Sequence, residues 1–385
     1  MTPRRDHRID FYRGLALIFI FWDHIPQNPW ANLTLRNFGF SDAAEVFVFL
    51  AGYAAVMAYG RIARRDGWLI ASVHILRRAW VLYVVHIFLL VLLMGMVFVA
   101  NNYVETRDMV QSMNLGYFIG NPQQALVDEL LLRFKPNLMD PLPLYIVLLA
   151  ALPLILPALL RRPGRVVLGS LALYALVQWQ GWNIPAHDNG LWYFNPLAWQ
   201  VLFVFGGAMA VRREYGAVTD DRPLLEQPLF LLLAAFLVLS ALLALTWKWP
   251  ALHAALMPGW IAELLYPVSK TNLAPARLLH FLALAYCTAS LIREGAWLQH
   301  WLSRQVAAMG RHSLEIFCLG VLLAPLADMV NALNDDRFAS QLLTALVGVG
   351  LMLALSNWLE LSKRLRQPRP AGVDQALPES FRRAA

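Results

Sequence analysis

Arg13 and His24 are separated by ten residues within one apolar stretch, Arg8–His24. Eleven helical steps of about 100° return to within ~20° of the same face and separate the pair by ~16 Å along the axis. One stripe of one helix then carries a guanidinium near its start and an imidazole near its end. Asp10 sits three residues before Arg13 and can pair with it. Asp23 adjoins His24 but points about 100° away, so it is not expected to orient the ring. An aspartate and a histidine inside a membrane-length segment are unfavourable unless they face an interior cavity. Histidine titrates near neutral pH, which suits general-base chemistry.

Further carboxylates follow in Ser41, Asp42 and Glu45, ahead of the apolar run Val46–Tyr53. Ser41 or Asp42 reads as the N-cap of a second helix, where acids are favoured. Capping explains Asp42 well and Glu45 less well, because Glu45 lies deeper. A short connection joins the two helices, so Asp42 and Glu45 can approach Asp23 and His24.

The elements that must position these groups follow from composition. The chain has 385 residues, 59% of them hydrophobic and 15% charged. Ordinary soluble domains carry about 25% charged residues. The apolar residues fall into ten blocks of about bilayer-spanning length: 9–25, 42–59, 74–100, 141–160, 166–179, 194–211, 229–247, 274–292, 313–333 and 341–361. The stretch 256–266 is too short to span and reads as a re-entrant or interfacial turn. The fold expected is an all-α polytopic membrane protein with about ten transmembrane helices. It forms one transmembrane domain over residues 1–362, followed by a disordered cytoplasmic tail over 363–385. The net charge of +7 does not imply nucleic acid, because the basic residues form short clusters between apolar blocks. Cys287 and Cys318 both fall within apolar helices and read as small core residues, and no metal site is expected.

Orientation follows from Lys and Arg. With the N-terminus cytoplasmic, 24 of the 32 basic residues fall in inside segments and eight in outside ones. Both termini are therefore expected in the cytoplasm. The first apolar block has a basic start like a signal peptide, but no small-residue cleavage site follows, so it is read as a retained helix.

The stretch Arg8–His24, followed by Asn37–Tyr53, resembles the OpgC-type membrane acyltransferases of the acyltransferase-3 superfamily. So do Met139-Asp-Pro-Leu-Pro-Leu-Tyr145, Phe194-Asn-Pro-Leu-Ala-Trp-Gln200, Tyr266-Pro-Val-Ser-Lys-Thr-Asn272 with Arg277, and Gly310-Arg-His-Ser-Leu-Glu-Ile-Phe317. The resemblance runs from about Arg8 to Leu361. It implies an enzyme of the bacterial inner membrane that moves an acyl group, succinyl in this type, from cytoplasmic acyl-CoA to hydroxyls of a periplasmic glucan. No permanently bound cofactor is implied. His24 matches the catalytic histidine of the family and Arg13 its motif arginine. The wider superfamily often carries Ser-x-x-x-Tyr-x-x-His, whereas Ser313–Gly320 has Phe317 and Gly320 at the Tyr and His positions.

Around this frame, Asp23 and Glu45 are expected to act with His24. Arg77, Arg78, Arg311 and His312 flank cytoplasmic helix ends and are candidates, with Arg13, for the CoA donor. Lys270 and Arg277, among the few outer cations, suit a succinyl carboxylate or an anionic glucan. Asp42 and Trp199 join them on the acceptor side. The segment Pro122–Lys135 has the spacing of an interfacial amphipathic helix that can cover the acceptor. Two other classes compete. A proton-coupled transporter would use Asp23, His24 and Glu45 as a relay; a membrane scaffold would leave those groups without purpose. Besides the donor and acceptor, the lipid bilayer is the expected partner.

Overall fold

Proline opens many of the helices. Its fixed φ and missing N–H suit the first helical position, where that donor has no partner. The computed structural model describes residues 6–214, 224 and 227–366. Its helices of nine residues or more are α1 His7–Asp23, α2 Ala43–Asp66, α3 Trp68–Asn101, α4 Pro122–Leu130, α5 Pro141–Arg161 and α6 Pro163–Gln180. There follow α7 Pro196–Glu214, α8 Pro228–Thr246, α9 Pro275–Leu291, α10 Trp301–Arg311, α11 Ser313–Ala332 and α12 Phe338–Arg366. Six of them, α4 to α9, begin at a proline. The structure is all helical; the one isolated extended pairing among the described residues joins Pro185 to Leu191.

Among the described residues, six helices are long and apolar enough, by length and composition, to cross a bilayer: α2, α3, α5, α8, α11 and α12. This corrects the expectation of ten. α1 and α9 have 17 residues each, a rise of about 26 Å, short of the ~30 Å hydrocarbon core. α6 and α7 are longer, but polar residues dilute them: Arg165, Gln178 and Gln180 in α6, Gln200, Arg212 and Arg213 in α7. Two other boundaries shift. α12 continues through Lys363 to Arg366, into the stretch expected as a tail, and residues 367–385 lie outside the described residues. So do Arg4, Arg5, Arg222, Arg369, Arg382 and Arg383, which contributed to the charge count. The short stretch after α8 forms two small helices, Pro250–Leu256 and Gly259–Leu265.

Small residues bring key helices into backbone contact, as in membrane helix pairs generally. A methyl group at Gly14 of α1 would overlap the Val306 carbonyl of α10, and one at Gly310 of α10 would overlap the Asp10 carbonyl of α1. The pair α2 and α7 repeats the device, Gly52 against the Phe203 carbonyl and Gly206 against that of Phe49. α10, too short to span, is thus a splint along the first half of α1. Apolar side chains such as Leu154, Phe88 and Leu232 remain exposed around the bundle, as a lipid-facing belt requires.

Candidate active site

α1 stops at Asp23, and its last turn tightens: the His24 N–H bonds to the Phe21 carbonyl. The Ile20 carbonyl would otherwise accept that N–H. It accepts instead from the ring of His24, with Nδ1 2.5 Å away. A carbonyl cannot donate, so Nδ1 carries the proton and Nε2 carries the lone pair. His24 opens on a cavity of about 710 Å³. Its walls come from the second half of α1, the start of α2, the segment between α4 and α5, the loop before α7, and α11.

The cavity has two halves of different chemistry. Around His24 stand Asp23, Arg36, Asp42, Arg133, Lys135, Asp140 and Lys270. Toward the Arg13 end of α1 the lining turns apolar, with Leu17, Phe21, Phe47, Val48, Ile316, Phe317, Gly320 and Met352. Phe317 and Gly320, where the superfamily pattern has Tyr and His, therefore wall the apolar half. Arg13 lies a turn beyond it. Its guanidinium donates to the Ser313 hydroxyl, Nη2 to Oγ 2.5 Å. Arg13 and Arg78 both lie within electrostatic range of Tyr145 on α5, and Arg78 is exposed. Arg77 is exposed on α3.

The carboxylates are engaged elsewhere. Asp23 accepts from the Thr34 hydroxyl at 2.6 Å and lies 3.8 Å from Arg36; it does not touch the His24 ring. Asp42 caps α2 by accepting from the Ala44 N–H, and Glu45 accepts from the Asp42 N–H. This reciprocal capping box accounts for both acids. Arg277 Nε donates to Glu45 Oε1 at 2.7 Å, and Arg277 Nη2 to Asp42 Oδ2 at 3.0 Å. Lys270 Nζ donates to Asp42 Oδ2 at 2.7 Å. Two acids and two bases thus close on one another, and the Asp42 carboxylate helps hold Lys270 above its ordinary pKa. Glu45 is fully buried behind this group, away from the cavity lining.

The segments that resemble the family build this quartet. Trp199 is fully buried and does not reach the cavity. Its indole N–H donates to the carbonyls of Lys270 and Thr271, at 3.0 and 3.2 Å. Tyr174 donates to the Leu273 carbonyl, Gln178 to that of Asn272, and the Asn195 amide to the Asn272 side chain. The loop carrying Lys270 is therefore fixed from α6 and α7, and Trp199 is a positioning residue.

Arg311 and His312 share Glu360, at 2.8 and 3.2 Å. Arg311 also lines a second cavity of about 1070 Å³ at the N-terminal end of α1, with Arg304, Arg364 and Trp301. Sequence reasoning missed the polar groups that the 133–140 segment brings in: Arg133, Lys135 and Asp140. Burial pushes Lys135 down to about 8 and Asp140 up to about 6. Behind them, His86 of α3 and Glu129 of α4 sit 2.9 Å apart, both buried. The amphipathic spacing of Pro122–Lys135 and the family-like segment Met139–Tyr145, which contains Asp140, were the signals that pointed to this region.

The family model described as OpgC protein matches residues 5–364. The chain belongs to the OpgC family. Membership covers the cavity, the quartet and Arg13 together, and supports an acyltransferase-like activity in a multi-pass membrane protein. No curated protein and no solved structure matches the chain.

Proposed function

We propose that this OpgC-family protein is an O-acyltransferase of the bacterial inner membrane that moves an acyl group, succinyl above all, from cytoplasmic acyl-CoA to a hydroxyl of a periplasmic glucan. The observation that carries this reading is the divided cavity: a polar half holding His24 with Nε2 free, continuous with an apolar half that runs toward Arg13. The cluster of basic residues at the start of α1 supports a cytoplasmic Arg13 end. CoA is too highly charged to cross the bilayer, and the sugar cannot enter it. A pantetheine arm fits the apolar half, and the thioester meets the hydroxyl beside His24.

In this scheme His24 Nε2 takes the hydroxyl proton as the oxygen attacks the thioester carbonyl. The new C–O bond forms, the C–S bond breaks, and the CoA thiolate leaves toward the cytoplasm. The apolar walls limit hydrolysis of the thioester by keeping water out. Arg13 and Arg78, with Arg77, draw the donor to the inner mouth. Arg304, Arg311 and Arg364 in the second cavity suit its phosphates, and His312 fixes Arg311 through their shared Glu360. Lys270, Arg277 and Asp42 frame the acceptor side. A proton relay would need Asp23, His24 and Glu45 in continuous contact. Among the described residues each is bonded to a different partner, which weighs against transport.

The test uses the full chain in detergent, succinyl-CoA and a glucose oligosaccharide. The readouts are thiol release and the mass of the ester product. His24→Ala is expected to lose about 10²- to 10⁴-fold of the rate while eluting and melting like the natural protein. Full activity in His24→Ala would remove the base assignment. A natural protein that consumes no acyl-CoA would remove the enzyme reading.

A further inference from the structure

We propose that Lys135, held over Trp192 inside the cavity, is the anion receptor that selects an acyl group ending in a carboxylate. This inference rests on the acyl-transfer reading above. Most of the other charged groups of the cavity already have partners of opposite sign. Asp23 lies beside Arg36, Asp42 holds Lys270 and Arg277, and Asp328 lies 3.1 Å from Arg107. Lys135 differs. It is 7% exposed; Asp140 and Glu129 lie within electrostatic range of its ammonium, but among the described residues neither forms an ion pair with it. Its one hydrogen bond goes to the Leu132 carbonyl, at 3.0 Å. The face of Trp192 lies beneath it, 3.8 Å from nitrogen to ring centroid. An aromatic face offsets part of the loss of hydration of a cation. It leaves the remaining N–H groups free to donate, and a buried cation gains most from an incoming anion.

The backbone holds this arrangement by force. Leu132 and Leu138, on either side, have φ of 58° and 76°, a left-handed conformation unfavourable for branched residues. Phe134 and Met139 are fully buried and anchor the loop. Asn137 ties it to the 112–114 segment through the Ser112 carbonyl, at 2.8 Å. Strain of this kind persists where the surroundings over-determine it, which here keeps the lysine turned inward.

Burial decides between donor and acceptor as the source of the anion. Arg133, two residues earlier, is exposed and within reach of a polymer. Lys135 is buried, so the smaller four-carbon acyl group reaches it more readily than a glucan chain does. Lys270 and Arg277 are neutralised by Asp42 and Glu45, so they offer a carboxylate less.

The experiment offers the full chain equal concentrations of succinyl-CoA and butyryl-CoA, which has a methyl in place of the carboxylate. The ratio of the two sugar esters is measured. The natural protein is expected to favour succinyl by about tenfold or more. Lys135→Met is expected to collapse that ratio and Lys135→Arg to retain most of it. An unchanged ratio in a folded Lys135→Met protein would overturn the assignment. Equal use of both esters by the natural protein would overturn it too, whether or not the variant folds. Transfer from neither ester would instead remove the acyltransferase reading on which it rests.

Discussion

Replacing Arg277 by Met would leave the buried Glu45 carboxylate and the partly exposed Asp42 carboxylate each short of a partner. Glu45 is 0% exposed, and the Arg277 side chain is 10% exposed. Glu45 would lose both of its contacts from the guanidinium and keep only the Asp42 N–H. Asp42 would retain Lys270. Removing one member of a buried pair costs about 3–5 kcal/mol, most of it from the charge left behind. The value should fall near the low end, because Lys270 still neutralises Asp42. Glu45→Gln in the same background removes the stranded charge and keeps the shape, so it should recover ~1–3 kcal/mol of the loss. The assay is thermal or denaturant unfolding in detergent micelles for the natural protein, both single variants and the double variant. If Arg277→Met and Glu45→Gln proved simply additive, Arg277 and Glu45 would not act as a pair and the closed quartet would be the wrong description.

Gly310→Val should destabilise the fold, because its side chain meets the Asp10 carbonyl of α1; at Gly350, where nothing lies near, the same change should be within about 0.5 kcal/mol. Unfolding midpoints of the two variants separate the cases. The succinyl-to-butyryl ratio should fall as pH rises. Lys135 loses its proton as pH passes about 8, and Asp140 gains charge as pH passes about 6. Glu129 adds to the negative field around Lys135, and exposed Arg133 opposes it. Both titrations work against an acyl carboxylate, so a ratio that rises between pH 6 and 9 would contradict the placement. Reporters fused after Arg162 and after Arg213 should both report cytoplasm, which requires α1 to cross as well as the three long helices before Arg162; an outside signal at both would mean that α1 does not cross and would reverse the orientation.

Much of the site was legible because it depends on local rules. The ten-residue spacing of Arg13 and His24 needed only the helix period. Asp42 as a helix N-cap follows from an acid just before the apolar run, whereas the return bond from Glu45 that completes the capping box was not read from the sequence. The family resemblance named the segments carrying Trp199, Lys270 and Arg277, although not that Trp199 works from behind the loop. Lys135 was not legible. Its role depends on a left-handed backbone at Leu132 and Leu138 and on Trp192, more than 50 residues away in sequence. Glu45 looked catalytic because a deep carboxylate normally needs a chemical reason; Arg277, 232 residues later, supplies a structural one. The count of spanning helices failed where apolar blocks were judged by content alone. α1 and α9 are apolar enough to attract notice but stop at 17 residues.

The shortness of α1 bears directly on the chemistry. A helix about 26 Å long is shorter than the ~30 Å hydrocarbon core. On the acyl-transfer reading proposed above, a start at the cytoplasmic face would leave His24 short of the outer face, within reach of a thioester entering from the other side. The end of a helix also leaves carbonyls without intrahelical partners. Here the His24 N–H turns back to Phe21, and the freed Ile20 carbonyl takes the ring N–H. One break in one helix thus sets both the depth of the imidazole and its tautomer, with no carboxylate in contact with the ring. A neutral carbonyl orients the ring without adding a second charge to it. Asp23 is then free to bind Thr34 and approach Arg36, which fixes the connection to α2. The adjacent acid and imidazole divide their work: His24 faces the cavity, where the proposed reaction would take place, and Asp23 holds the turn that delivers Asp42 to the cavity rim.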